Sequence, residues 1–331
     1  MEEVVVPKDL ESLEESRKIR AMLLQRWGCI PSSVMKADWS TRVTDLSKSY
    51  MDQRRESKWH NTPLGNAFDR SGTGARHGAL SRFPQNVCRF AVKFYCPENG
   101  TVLDPFMGHN SRFESVWRCG RNYIGFDVCH EFVEMNRKIM LMLQEENNRA
   151  LEKNDADITL IEADSRDMLR FVKPDTADFC ITSPPFWDIE YYGPEAEQLG
   201  NAKLYGDFLY SLGTIVKNCF DVLKPGAFIA WELNDFRKDG IFYPYHADGL
   251  RLFKDVGFEL WDTIIIDYGT GLLQSFALDI EAHRIVSKEH SYLIVGHKAT
   301  LYKQDRYQVQ ERLISELPNF KPVDAAQGQL F

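Results

Sequence analysis

Hydrophobic positions along this chain change period several times. Between residues 8 and 26, Leu10, Leu13, Ile19 and Leu23, with Trp27 just beyond, recur near helical spacing and charge fills the gaps. This predicts an amphipathic helix, stopped by Gly28 and Pro31. From Lys36 to Arg82 the pattern weakens, and the stretch from Ser57 to Gly78, rich in Gly, Asn, Thr, Ser and His, reads as a long loop. After it, short apolar runs of strand length alternate with stretches of helical spacing. Strands are predicted at 100–104, 123–127, 158–164, 178–182, 227–233, 260–267 and 291–295. Helices are predicted from Pro84 to Tyr95 and at 111–119, 131–149, 205–223 and 246–256. Pro84 suits a first helical turn, and Lys224-Pro225-Gly226 stops the fourth of these helices. This alternation predicts an α/β fold, a doubly wound, mostly parallel seven-stranded sheet with an N-terminal helical and loop extension. The expected units are 1–80 for the extension, 81–302 for the sheet domain, and 303–331 for a C-terminal helix and flexible tail.

Composition narrows the class. At 331 residues and 44% hydrophobic, the chain can bury a sizeable core. No apolar run approaches the roughly 20 residues of a membrane span, and the first residues carry acids with no secretory pattern. Seven scattered cysteines without a C-x-x-C pair fit reduced thiols in a cytoplasmic protein better than disulfides or a zinc site, and no metal is expected. The net charge of −8 argues against broad coating of nucleic acid. One window is different: Arg54 to Lys93 holds eight Lys/Arg against the two acids Glu56 and Asp69. It reads either as a solvated loop or as a phosphate-contacting surface.

The candidate chemistry sits at strand ends. The strand over 178–182 ends in Thr182-Ser183-Pro184-Pro185-Phe186-Trp187, and its two prolines cannot continue a ladder. A stiff turn results, presenting a hydroxyl, an unladdered Pro184 carbonyl and aromatic rings. This set suits a flat base with an exocyclic amine: Ser183 and Pro184 accept from the amine and Phe186 stacks on the ring. The bland alternative is a strand followed by a rigid loop with a packing aromatic. Three preceding strands end in acids, Asp104, Asp127 and Asp164, and on a parallel sheet such ends line one edge. Asp104 opens a glycine-containing loop, and Asp127 follows 23 residues later, near the spacing at which an acid holds a ribose. The loop has neither G-x-G-x-x-G nor G-K-[ST], so nothing in it is tailored to a pyrophosphate. A nucleoside without phosphates is favoured, and S-adenosyl-L-methionine is the common case.

These residues resemble the amino-DNA methyltransferases, which methylate cytosine N4 or adenine N6. Asp104-Pro105-Phe106-Met107-Gly108 is similar to their Asp-Pro-Phe-x-Gly cofactor loop, and Thr182 to Phe186 to their (Asp/Asn/Ser)-Pro-Pro-(Tyr/Phe/Trp) motif. Phe83-Pro84-Gln85-Asn86 lies where some family members start a cofactor-contacting helix, and the resemblance spans roughly 80–300. Two departures stand out: His109-Asn110 follows Gly108 where the family reads x-Gly, and Ser111 replaces its usual Thr. The resemblance implies a Rossmann-like methyltransferase domain. It implies S-adenosyl-L-methionine held by Phe83, Gln85, Asn86, Asp104, Pro105, Phe106, Gly108, Asp127, Asp164 and Thr182. In that scheme Asp104 meets the methionine ammonium, Phe106 the adenine, Asp127 the ribose hydroxyls and Asp164 the adenine amine. Ser183, Pro184, Pro185 and Phe186 then hold a base extruded from double-stranded DNA, with no metal and no enzyme nucleophile. Ser at the first motif position leans toward cytosine N4. A cytoplasmic enzyme, bacterial, archaeal or phage-encoded, is the expected setting, with restriction–modification, phage and chromosome-regulation roles all open.

Three other classes compete. An RNA methyltransferase acting on guanine N2 of tRNA uses a similar loop with Asp-Pro-Pro-Tyr, and Ser183 argues against it. A non-catalytic nucleoside-binding module is disfavoured by Ser183 to Phe186 standing beside three acids. A nicotinamide dehydrogenase is disfavoured by the loop. At the C-terminus, Gln327-Gly328-Gln329-Leu330-Phe331 resembles the short peptide that docks on bacterial sliding clamps, with a frayed tail as the alternative.

Overall fold

The computed structural model describes residues 10–38, 83–108, 112–189, 192, 194–269, 283–286 and 288–300. The chain divides into Met1–Lys298 and Ala299–Phe331, and only residues 299–300 of the second unit are described. The loop expected at 57–78, most of the basic window, the C-terminal helix and the peptide Gln327–Phe331 therefore lie outside the described residues.

The first unit is an eight-stranded sheet. Its strands are β1 (Val34–Lys36), β2 (Thr101–Asp104), β3 (Asn122–Asp127), β4 (Ile158–Glu162), β5 (Ala177–Thr182), β6 (Leu223–Leu233), β9 (Glu259–Asp267) and β10 (His290–His297); a separate antiparallel pair, β7 (Phe236–Lys238) and β8 (Ile241–Tyr243), lies between β6 and β9 in the chain. The order across the sheet is β1-β9-β10-β6-β5-β2-β3-β4. All neighbours are parallel except β10, which runs antiparallel between β6 and β9. The seven expected strands are all present. The eighth, β1, comes from the expected extension and pairs with β9 through Val34 and Ile265, Met35 and Ile266, and Lys36 and Asp267.

Helices cover both faces. The described α-helices are α1 (Leu10–Trp27), α2 (Gln85–Tyr95), α3 (Phe113–Arg118), α4 (His130–Arg149), α5 (Tyr205–Val222) and α6 (Tyr245–Val256). Alternate strand residues feed two cores, as the two-residue period of a strand requires. Val102, Tyr123, Phe179, Ile181, Leu293 and Val295 join the core under α2, α3 and α4. Leu103, Phe126, Cys180, Ile229, Trp231 and Ile294 join the core under α5 and α6. All of these strand positions but Cys180 carry branched or aromatic side chains that fill a doubly covered sheet.

The element boundaries hold two further findings. The third expected strand, 158–164, ends at Glu162; Asp164 caps a 3₁₀ turn (Ser165–Arg170), its side chain accepting from the Arg166 amide at 2.8 Å. Lys224-Pro225-Gly226 belongs to β6 rather than to a gap before it, and the β5–β6 register shifts there, with Ala177 opposite Leu223 and Phe179 opposite Phe228. Gly226 takes positive φ (86°) and its amide donates to the Lys298 carbonyl, so the irregular piece is tied to the residue after β10.

Strand order fixes where a ligand belongs. From β2 the chain winds outward through β3 to β4, then returns to place β5 on the other side of β2. The carboxyl ends of β2 and β5 flank that reversal, the position at which open α/β sheets bind ligands.

Candidate active site

An open cavity of about 800 Å³ lies at this reversal. Its wall includes Phe83, Pro105, Phe106, Gly108, Asp127, Asp164 and the whole turn Ser183, Pro184, Pro185 and Phe186. Ten of the fourteen expected site residues thus line one cavity, with Asp127, Asp164 and Ser183 the polar ones among them.

The loop after β2 is built for close approach. Gly108 has φ of 54°, its amide donates to Asp127 Oδ2 at 2.8 Å, and its carbonyl accepts from the buried Asn136 side chain at 2.7 Å. Asp127 Oδ1 accepts from the Cys129 amide at 2.8 Å. These bonds aim the carboxylate across the cavity mouth. Burial pushes its pKa up to about 6, partly offset by the two amides. Phe106 presents an aromatic wall backed edge-on by Trp231 at 6.2 Å. Asp164, also on the wall, is bound by the Arg166 guanidinium at 2.8 Å.

Four of the expected residues, Gln85, Asn86, Asp104 and Thr182, lie off the cavity wall. Asp104 is fully buried and outside the cavity wall. It accepts from Arg112 Nε at 2.6 Å, the Tyr123 hydroxyl at 2.8 Å, Thr182 Oγ1 at 2.6 Å and the Phe106 amide at 3.2 Å. Its charge is neutralised by Arg112, which also donates to the Phe106 carbonyl. Asp104 therefore shapes the loop from beneath and is not free to meet an ammonium. Thr182 is spent on the same carboxylate. Gln85 is buried against Ser115, which donates to its side-chain oxygen. Asn86 holds the edge of the sheet: its side chain accepts from the Asp38 amide at 3.0 Å and donates to the Lys36 carbonyl at 2.9 Å. Of the 83–86 stretch, Phe83 alone reaches the cavity wall.

The turn after β5 is held from three sides. The Tyr245 hydroxyl donates to the Pro185 carbonyl at 3.0 Å, and the Phe186 amide donates to the Tyr192 hydroxyl at 3.1 Å. Trp187 follows at positive φ (45°), rare for a bulky residue, and is pinned by its indole bond to the Ala202 carbonyl at 2.8 Å. No donor among the described residues takes the Pro184 carbonyl, so it stays available beside the Ser183 hydroxyl.

Behind Ser183 lies a residue that the sequence does not single out. Glu232, on β6 beside the turn, is 6% exposed. It accepts from Ser291 Oγ at 2.8 Å and from the Tyr268 hydroxyl, and Ser183 is a further hydrogen-bonding neighbour. Burial raises its pKa and these hydroxyls pull it back. Arg112, Tyr123 and Asn136 were equally invisible, because each acts through a partner distant in the chain. The acid after a strand-length run, Trp231-Glu232-Leu233, was the one available signal for Glu232.

Among the described residues no cluster of His, Cys, Asp or Glu is arranged to hold a metal ion, and no helix is long and apolar enough to cross a membrane.

The fold is a doubly wound α/β sheet with an open cavity and a Ser-Pro-Pro-Phe turn at its reversal. A family model described as DNA methylase matches residues 17–138. The Type II beta methyltransferase M.BslI of Bacillus sp. (strain NEB-606) is 32% identical over 122 residues, 34% of this chain and 13% of that protein. The Type II methyltransferase M.ScaI of Streptomyces caespitosus is 25% identical over 105 residues, 28% of this chain and 34% of that protein. Thus the chain spans a third or less of the length of these relatives. Among solved structures, a SAM-dependent methyltransferase from Methanosarcina mazei is similar at 14% identity and TM-score 0.42, over 66% of this chain and 99% of that one. TrmN from Thermus thermophilus is similar at 15% identity and TM-score 0.43, over 69% and 52%. By the family match and these relatives, the chain is similar to DNA methylases over part of its length.

Proposed function

We propose that this protein transfers a methyl group from S-adenosyl-L-methionine to an exocyclic amine of a base in double-stranded DNA, with cytosine N4 favoured over adenine N6. The observation that carries the reading is the single cavity that joins Phe106, Gly108 and Asp127 to the Ser183–Phe186 turn. The family match and the Type II methyltransferase relatives support DNA as the substrate; restriction–modification is the setting their names suggest.

The residues fit the cofactor's chemistry. Asp127 is an acceptor for ribose hydroxyls, and Phe106 and Phe83 supply apolar faces for a purine. Gly108 leaves room for the backbone to approach. Asp164, whose two oxygens accept from the amide and the guanidinium of Arg166, accepts in addition from an adenine amine. S-adenosylmethionine, when bound, supplies an electrophilic methyl group on sulfur. At the other end Phe186 stacks on the extruded base, while Ser183 Oγ and the Pro184 carbonyl accept from its amine. Two acceptors on the N–H bonds localise the nitrogen lone pair and aim it at the methyl carbon. Positive charge that develops on nitrogen is stabilised by the same acceptors, fixed in advance by Tyr245, Tyr192 and Glu232. The N–C bond forms as the C–S bond breaks, and one amine proton leaves toward this cluster or solvent.

The test is methyl transfer from labelled S-adenosylmethionine to duplex DNA, followed by digestion and nucleoside mass spectrometry. The expected product is N4-methylcytosine. Label in N6-methyladenine keeps the reaction and reverses the base, and label in tRNA but not in DNA overturns the proposal. Ser183→Ala is expected to lower kcat by about 10- to 100-fold with little change in cofactor binding, the worth of one hydrogen bond to a charged group, about 1.5–3 kcal/mol.

A further inference from the structure

The β7–β8 hairpin has a construction that the methyl-transfer reading leaves unused. Asp239 and Gly240, the two residues between Lys238 and Ile241, both have positive φ, 50° and 79°. That is the backbone of a tight two-residue hairpin turn, and Asp-Gly is the sequence that favours it. One face of the hairpin is locked to the Ser183–Phe186 turn. Lys238 forms an ion pair with Asp188 and lies 4.9 Å from the centre of the Trp187 ring. Tyr243 contacts Trp187 at 5.5 Å and stacks on Phe236 at 5.1 Å. The opposite face carries Arg237 and Phe242, which is 41% exposed, and at the tip Ile241, paired with Lys238 beside the turn, is 58% exposed. Two cations bracket the exposed ring, Arg237 at 5.2 Å and Lys288 at 5.0 Å. A rigid projection that ends in apolar side chains is an unfavourable thing to leave in water.

We propose that this hairpin is a wedge for duplex DNA: Phe242 and Ile241 enter the base stack next to the target, and Arg237 and Lys288 contact the flanking phosphates. The proposal rests on the reading of the cavity as a DNA-methylating site and adds how the base leaves the helix. Apolar side chains inserted between base steps unstack them, and the cost of extrusion is a few kcal/mol. The hairpin is anchored to the residue that follows Phe186, so the wedge and the receiving turn move as one body. Charge complementarity selects the occupant: an aromatic flanked by two cations matches stacked bases between two phosphate chains.

The experiment uses the full chain and the site mapped for the wild-type protein. Methylation is compared on the paired duplex and on the same duplex with the target base mispaired. The double variant Ile241→Ser, Phe242→Ala is expected to lose 10-fold or more on the paired duplex and less than about threefold on the mispaired one, with cofactor binding unchanged. Equal loss on both substrates, or no loss on either, overturns the wedge. Arg237→Gln provides an independent reading, since both variants replace exposed side chains. It is expected to lower the slope of log affinity against log salt by about one; an unchanged slope removes the phosphate contact. A wild-type protein that methylates no DNA sinks the proposed function first, and the wedge with it.

Discussion

At the residue scale, Asp127 carries a pH dependence with a definite sign. Its carboxyl is raised from 3.8 to about 6 by burial, so in the empty site it is protonated below about pH 6. A ribose hydroxyl donates best to the ionised form. Cofactor affinity is therefore expected to fall as pH drops through 6, by up to about tenfold per unit. Isothermal titration with S-adenosylmethionine between pH 5 and 8 measures this, and Asp127→Asn should bind weakly with a flat profile. A flat profile in the wild-type protein would remove Asp127 from the ribose. The stability of the unliganded fold runs the other way. In the interval between 3.8 and about 6 the native carboxyl holds more proton than the unfolded one, so stability is lost as pH rises through that interval. Asp127→Asn removes that loss.

At the scale of elements, β3 shows how a small residue protects the site from below. A Cβ on Gly125 would sit 2.5 Å from Tyr123 Cε1, 2.9 Å from its hydroxyl and 3.0 Å from Met107 Sδ. The Tyr123 ring cannot swing aside without giving up its bond to Asp104. Gly125→Ala is thus expected to destabilise the fold by about 1–3 kcal/mol, the usual cost of overpacking a filled core. Urea titration checks the value, and weaker cofactor binding should accompany it because Asp104 supports the Phe106 loop. Such pairings were the part of the molecule that sequence could not disclose. Strands β2 to β6, β9 and β10 announce themselves through apolar runs, and the Asp104–Gly108 and Thr182–Phe186 motifs are local words. By contrast, β1 has three residues and one buried side chain, Met35, too little to make a period. The Asn86 bond to Lys36 spans 50 residues and the Thr182 bond to Asp104 spans 78. Local pattern gives the polarity of those side chains but not which partner folding brings to them: that Asp104 bonds Arg112, Tyr123 and Thr182 is visible only in the fold.

At the scale of the whole first unit, the cavity straddles the reversal of strand order. Its walls come from the ends of β2 and β3 on one side, from β5 on the other, and from residues before α2 and within α5. The two cores lie on opposite faces and share the sheet as their common layer. A ligand at this place touches both halves of the winding, so its binding energy should register as stability of the entire unit and not of one loop. Ligand that binds only the native state at about 100 times its Kd adds about 2.7 kcal/mol. In a unit of this size that is expected to raise Tm by roughly 5–10 °C. Differential scanning calorimetry with S-adenosylmethionine, and separately with NADH, tests the assignment without any activity. The loop after β2 offers one glycine, Gly108, and a carboxylate at its amide rather than an open cradle of amides for a pyrophosphate. Only S-adenosylmethionine should move the transition. A rise with NADH and none with S-adenosylmethionine would return the cavity to the dinucleotide class, whatever the turn after β5 resembles.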